Sequence, residues 1–172
     1  IVVLAGGLSP ERNVSFASGA MVAQALRRKG HQVAMVDLYL GLEDYGHPLS
    51  ELFRLPPSLP DLSIKEEEPD LKAVKAARKL RSGSIFGQGV LAACQMADVV
   101  FNALHGESGE DGRIQAAFDM LGIAYTGSGY LGSAIAMDKN YTKQLAAAEG
   151  ILTPQWRAVK LTDREIEEVE RS

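Results

Sequence analysis

The densest chemistry in this chain is a histidine and three carboxylates set among glycines. The stretch His105-Gly106-Glu107-Ser108-Gly109-Glu110-Asp111-Gly112 directly follows the apolar run Val99-Val100-Phe101-Asn102-Ala103-Leu104 and directly precedes a helical pattern. Glycine reaches backbone conformations closed to other residues and lets main-chain N–H groups approach a bound molecule. A loop between the end of a strand and the start of a helix also lies where open α/β sheets bind small molecules. The plain alternative is a sharp turn whose acids complement the positive end of the next helix. Such a turn needs one glycine rather than three, and gives the histidine nothing to do.

A second polar loop, Gly6-Gly7-Leu8-Ser9-Pro10-Glu11-Arg12, follows the apolar start Ile1-Val2-Val3-Leu4-Ala5. It has to be weighed against a dinucleotide site, because Asp37 stands where a ribose-binding acid would be expected. The third glycine of that fingerprint is missing, however. Pro10 and Glu11 intrude where a pyrophosphate must meet bare backbone, and a carboxylate repels a phosphate. Glu11 suits a cation instead: an ammonium on Glu11, with a carboxylate of the same ligand on backbone N–H groups at the helix start, describes an amino-acid site. Against this stands the reading of Glu11 as a carboxylate that only complements the helix dipole, and of Ser9 or Ser15 as an ordinary cap.

These loops require elements to carry them, and the periodicity alternates between strand and helix. Strands are expected over Ile1–Ala5, Gln32–Leu38, Val99–Leu104 and, briefly, Ile123–Tyr125. Helices are expected over Val14–Lys29, stopped by Gly30, and over Ile114–Leu121, stopped by Gly122. The run Gly89 to Met96 is also helix-like. That alternation implies a mostly parallel sheet flanked by helices. From Gly41 to Gly87 the rhythm breaks: Pro48, Pro56, Pro57 and Pro60 precede the charge run Lys65-Glu66-Glu67-Glu68-Pro69. We read a surface excursion carrying one helix, Asp70–Leu80, and a solvated charge run. Towards the end, Ser133 to Lys139 leads into a helix through Ala148, Gly150 to Pro154 closes it, and Trp156–Val159 and Asp163–Arg171 read as a strand and an amphipathic helix. The last helix has no core of its own to pack on, so the chain is expected to be a fragment that stops inside a second domain.

Composition excludes several classes of function. With 172 residues, 46% of them hydrophobic, the chain can bury a proper core. Its formal net charge of -4 and lack of a basic stripe argue against a nucleic-acid partner. The single Cys94 is expected to be a small buried hydrophobe in a reducing compartment. No apolar run approaches membrane-spanning length, so a cytoplasmic location without a membrane partner is the default.

Four separated segments, in order, resemble the N-terminal half of D-alanine–D-alanine ligases: Gly6 to Ser15, Ala103 to Gly112, Tyr125-Thr126-Gly127-Ser128-Gly129 and Ala136-Met137-Asp138-Lys139. The resemblance runs from Ile1 to about Val159 and is weakest between Gly41 and Gly87. It implies an α/β fold in which a Rossmann-like parallel sheet, the pre-ATP-grasp domain (residues 1–137), is followed by the truncated beginning of an ATP-grasp domain (residues 138–172). It further implies that Glu11 holds the ammonium of a first D-alanine, that Ser15 supports it, and that His105, beside Gly106 in the substrate pocket, lies near the substrate carboxylate. Lys139 would contact ATP phosphates. One departure is Asn13, where many members carry a second acid. ATP and Mg2+ are the implied cofactors, the magnesium ligands being expected outside this chain, and a homodimer is the implied assembly. The fragment alone is expected to form no dipeptide. A nucleotide-binding Rossmann-type module and a non-catalytic dimerisation lobe are the competing readings.

Overall fold

The computed structural model describes residues 1–54 and 68–160. Its contacts divide it into two compact units, Ile1–Met137 and Asp138–Ser172.

The first unit is built on three parallel strands in the order β2-β1-β3, with β1 over Val2–Ala5, β2 over Ala34–Asp37 and β3 over Val100–Asn102. Val2 faces Ala34 on one side and Val100 on the other. The central strand is buried along its whole length, as a parallel strand with both faces covered must be. Alternation sends its side chains to two cores. Val2 and Leu4 join Val36, Val100, Val90, Ile114 and Phe118 on one face, while Val3 joins Ala23, Val33 and Ala103 on the other. The expected strand at Ile123–Tyr125 shrinks to a single parallel bridge between Val100 and Tyr125. Two hydrogen bonds hold it, Val100 N to Ala124 O at 2.8 Å and Thr126 N to Val100 O at 3.0 Å.

Helix α1, Arg12–Arg28, begins two residues before the expected start. It can lie close on the sheet because the facing residues are small: a Cβ at Gly19 would come within 3.1 Å of the Ala5 methyl. Gly30 then takes φ +87° and closes the helix by donating its N–H to Arg27 O at 2.9 Å.

The segment after β2 corrects the expectation of a pure surface excursion. Its ends are zipped together by a bridge between Gly41 and Gln88, and Leu52, just after a 3-10 turn at Leu49–Glu51, is buried in the core. Helix α2 spans only Leu71–Ala77 of the expected Asp70–Leu80. Asp70 is its cap, accepting from Lys72 N and Ala73 N, each at 2.9 Å. It ends early because Arg78 turns extended and buries its guanidinium against the carbonyls of Ser84 and Phe86. Of the charge run, Lys65, Glu66 and Glu67 lie outside the described residues.

Helix α3, Val90–Met96, carries Cys94, which is fully buried; burial pushes its thiol up to about 12. Helix α4, Arg113–Leu121, ends on Gly122 in the left-handed conformation, as its sequence predicts. The run Ser133–Lys139, expected to lead into a helix through Ala148, falls in two helices, α5 over Tyr130–Met137 and α6 over Lys139–Ala148, the second ending where expected. Asp138 separates the two by adopting an extended backbone and capping Asn140 N and Tyr141 N. No strand forms at Trp156–Val159, where the backbone is irregular. Trp156 instead donates Nε1–H to Asn140 Oδ1 at 3.0 Å and carries Lys143 over its ring. The helix expected at Asp163–Arg171 lies outside the described residues. No helix among the described residues is long and apolar enough to cross a membrane.

Candidate active site

The carboxyl ends of β1 and β3 lie side by side, and the hydroxyl of Ser15 ties them to α1. Ser15 is fully buried; its Oγ accepts from Gly6 N at 2.9 Å and donates to Ala103 O at 2.7 Å. Bonded to Gly6 and Ala103 and carried on α1, Ser15 fixes where the two polar loops meet.

Serines also hold the histidine. Ser9 Oγ donates to the carbonyl of His105 at 2.8 Å and accepts Glu11 N–H at 3.2 Å. At the other end of the residue, Ser18 Oγ meets the imidazole Nε2 at 3.1 Å. Glu11 completes the group: its Oε2 would lie 2.7 Å from a Cβ at Gly106, so it occupies the space that the missing side chain leaves. Glu11, His105 and Gly106, singled out separately in the sequence, therefore converge, with Ser9 and Ser18 as unforeseen supports. Although Glu11 is the residue before the first turn of α1, its side chain caps no backbone N–H. The carboxylate makes no hydrogen bond or ion pair among the described residues, and the residue is exposed. An exposed acceptor-only group set against Gly106, the residue after His105, with no cation of its own among the described residues, is placed to take an ammonium ligand.

The glycine-rich loop departs from expectation in the use of its acids. Glu110 accepts the N–H of Gly106 at 2.8 Å, and Asp111 accepts those of Ser108 at 3.0 Å and Arg113 at 3.1 Å. Glu107 bonds the Arg113 guanidinium at 2.8 Å and, with the nearby Asp111 charge, raises its pKa. These carboxylates hold the loop rather than face a ligand, and Gly106 contributes an absent side chain rather than a free amide. The three glycines make room for three different neighbours: a Cβ at Gly106 would meet Glu11, one at Gly109 would collide with Leu104, and one at Gly112 with the carbonyl of Tyr130. Ser108 takes φ +71° without being glycine, its amide anchored by Asp111.

Arg12 braces the first loop in a way the sequence did not reveal. Its buried guanidinium donates to Gly7 O at 2.6 Å, pairs with both oxygens of Asp37 and lies 4.8 Å over the Phe16 ring. Asp37 also accepts Tyr39 N–H at 2.8 Å. An acid so engaged is not offered to a ribose. The only signal in the sequence was an arginine opening a helix that follows a strand, with an acid ending the next strand. We expect no saturable binding of NAD or NADP by titration calorimetry; saturable binding abolished by Gly7→Val would restore the dinucleotide reading.

Lys139 belongs to the second unit, where it is the exposed first residue of α6. No group of three or more His, Cys, Asp or Glu side chains among the described residues is close enough to hold a metal ion.

Comparison with known proteins bears directly on this arrangement. The family described as D-ala D-ala ligase N-terminus matches residues 1–128. The D-alanine–D-alanine ligase of Lacticaseibacillus casei is 42% identical over 160 residues, which is 93% of this chain and 45% of that enzyme. That of Pediococcus pentosaceus is 41% identical over 164 residues, 95% of this chain and 47% of the enzyme. Among solved structures, the Bacillus anthracis D-alanine–D-alanine ligase complexed with ATP superposes with a TM-score of 0.59 at 26% identity, covering 99% of this chain and 41% of that one. The chain thus spans about half the length of the curated relatives it matches.

Proposed function

Because this chain belongs to the D-alanine–D-alanine ligase family, as an N-terminal portion, we propose that it supplies the amino-acid-binding lobe of an ATP-dependent ligase joining two D-alanines. The observation that carries this reading is the unpaired Glu11 carboxylate set against Gly106 and beside His105.

In this reading Glu11 receives the ammonium of the first D-alanine in a charge-assisted hydrogen bond, and His105 orients the carboxylate that is to be activated. Ser15 acts as a positioning residue, through the strand ends it holds. Phosphoryl transfer from ATP converts that carboxylate to an acyl phosphate. The amine of the second D-alanine then attacks the acyl carbon, a C–N bond forms, and the C–O bond to phosphate breaks. Lys139 is assigned to the ATP phosphates, as a point-charge donor. Magnesium would offset charge on those phosphates; the described residues offer it no ligand set. The assignment of residues 138–172 to the start of an ATP-grasp domain, a homodimeric state, a cytoplasmic location and a role in supplying cell-wall precursors belong to the same proposal.

The test is steady-state kinetics in a full-length ligase carrying this segment, with each substrate varied in turn. Losing one charge-assisted hydrogen bond costs roughly 1.5–3 kcal/mol, so Glu11→Gln and His105→Ala should each weaken D-alanine use about tenfold to a hundredfold while ATP affinity stays nearly intact. Lys139→Ala should do the reverse. Unchanged D-alanine kinetics in Glu11→Gln, accompanied by lower stability, would reduce Glu11 to a helix-end charge and remove the amino-acid pocket.

A further inference from the structure

A cleft of about 380 Å3 opens on the segment that follows β2, lined by Tyr39, Lys75, Arg78, Arg81 and Ser82 among others, and no carboxylate among the described residues lines it. Its distinctive member is Arg78, whose residue is only 2% exposed. Two guanidinium nitrogens donate to neutral carbonyls, of Ser84 at 2.6 Å and Phe86 at 2.8 Å, and the plane lies 4.5 Å over the Tyr39 ring. The third nitrogen, Nε, is buried with no hydrogen-bond partner among the described residues. A guanidinium is always charged, and a buried charge without a counter-charge is strongly unfavourable.

Among the described residues, the neighbouring acids do not supply that counter-charge. Glu43 accepts Lys79 N at 2.7 Å and Leu80 N at 2.6 Å, and Asp44 pairs with the Lys79 ammonium. Neither Lys75 nor Arg81 forms an ion pair among the described residues. Three cations therefore surround one cleft in a chain whose formal net charge is -4. So local a concentration of positive charge matches a compact, multiply charged anion rather than a polyanion, which would need an extended stripe.

We propose that this cleft binds a phosphate dianion, either free or as the phosphate group of a small phosphomonoester. Arg78 provides the buried positive field, Lys75 and Arg81 provide the direct donors, and the volume exceeds what phosphate alone fills. The inference stands apart from the ligase reading, because it uses none of the residues around Glu11 and His105.

The experiment is a thermal-shift titration of the 172-residue chain with inorganic phosphate, with glycerol phosphate as a second arm and sodium chloride at matched ionic strength as reference. Saturable stabilisation is expected, with Tm rising by roughly 3–6 °C at about ten times Kd. Lys75→Gln and Arg81→Gln, both at exposed positions, should each weaken the apparent affinity about tenfold. Lys29→Gln, outside the cleft, should not. These variants keep the proposal testable where Arg78→Gln fails to fold. Tighter binding in the glycerol phosphate arm would identify a phosphomonoester, and equal or tighter binding of phosphate the free ion. An effect matched by chloride, or one that survives the double variant Lys75→Gln/Arg81→Gln, would overturn the proposal.

Discussion

Replacing Asp37 by alanine is expected to lower the stability of the first unit by about 3–5 kcal/mol. The reason is the charge left behind. The Arg12 and Asp37 side chains are 7% and 12% exposed, and they face each other with two nitrogens on two oxygens. Without the carboxylate, the guanidinium remains buried against Phe16 and the carbonyl of Gly7 with nothing to neutralise it. Asp37→Asn separates the two parts of the effect, since it keeps an acceptor for Tyr39 N–H while removing the charge, and should cost less. The paired replacement Arg12→Met/Asp37→Leu should recover a large part of the loss, because well-packed apolar groups commonly replace a buried ion pair at little cost. Native-state hydrogen exchange at the slowest amides of β1 measures these free energies on the unit concerned. A cost below about 1 kcal/mol for Asp37→Ala would mean that water or another acid compensates Arg12.

The second large effect is expected at Gly112, just before α4. Its φ of +86° is strained for any L side chain, and a Cβ there would run into the carbonyl of Tyr130 at the start of α5. Gly112→Ala therefore combines left-handed strain with overpacking against backbone that has little room to yield, about 2–5 kcal/mol in all. Gly122 supplies the comparison. It also has positive φ, +65°, but nothing lies within 4 Å of where its Cβ would be. Gly122→Ala should therefore cost only the strain, about 1–2 kcal/mol. The same exchange measurement decides between them: equal losses would show that the Tyr130 contact contributes nothing and that backbone conformation alone requires glycine at 112.

Signals that are local in the chain were legible, and those that depend on a partner far along it were not. Gly30 and Gly122 end their helices where the sequence places them, because a left-handed closing residue is dictated by a few neighbouring dihedrals. The buried β1 announced itself as an unbroken apolar run. By contrast, the strand expected at Trp156–Val159 had a suitable residue pattern but pairs with nothing among the described residues; Trp156 is engaged by Asn140 and Lys143 instead. The early end of α2 was hidden because it depends on where Arg78 sends its charge. In the site itself, Glu11, Ser15 and His105 can be picked out by type, yet acids beside a histidine in a glycine-rich loop suggest a ligand when Glu110 and Asp111 satisfy the amides of their own loop. Composition reveals that a carboxylate is present; only geometry reveals whether its lone pairs are already taken.

The two ends of the proposed pocket differ in how much freedom they have left to lose. His105 is held at its carbonyl by Ser9 and at its ring by Ser18, so its rotamer is chosen before any ligand arrives. Glu11 is exposed and its carboxylate makes no hydrogen bond or ion pair among the described residues, so nothing of that kind fixes its rotamer. Capturing an ammonium would freeze that side chain, an entropic penalty of up to about 2 kcal/mol that the histidine does not incur. Recognition at this site would then be rigid towards the carboxylate and compliant towards the amine. A change that stiffened Glu11 without touching the ligand would tighten binding by sparing that loss of motion.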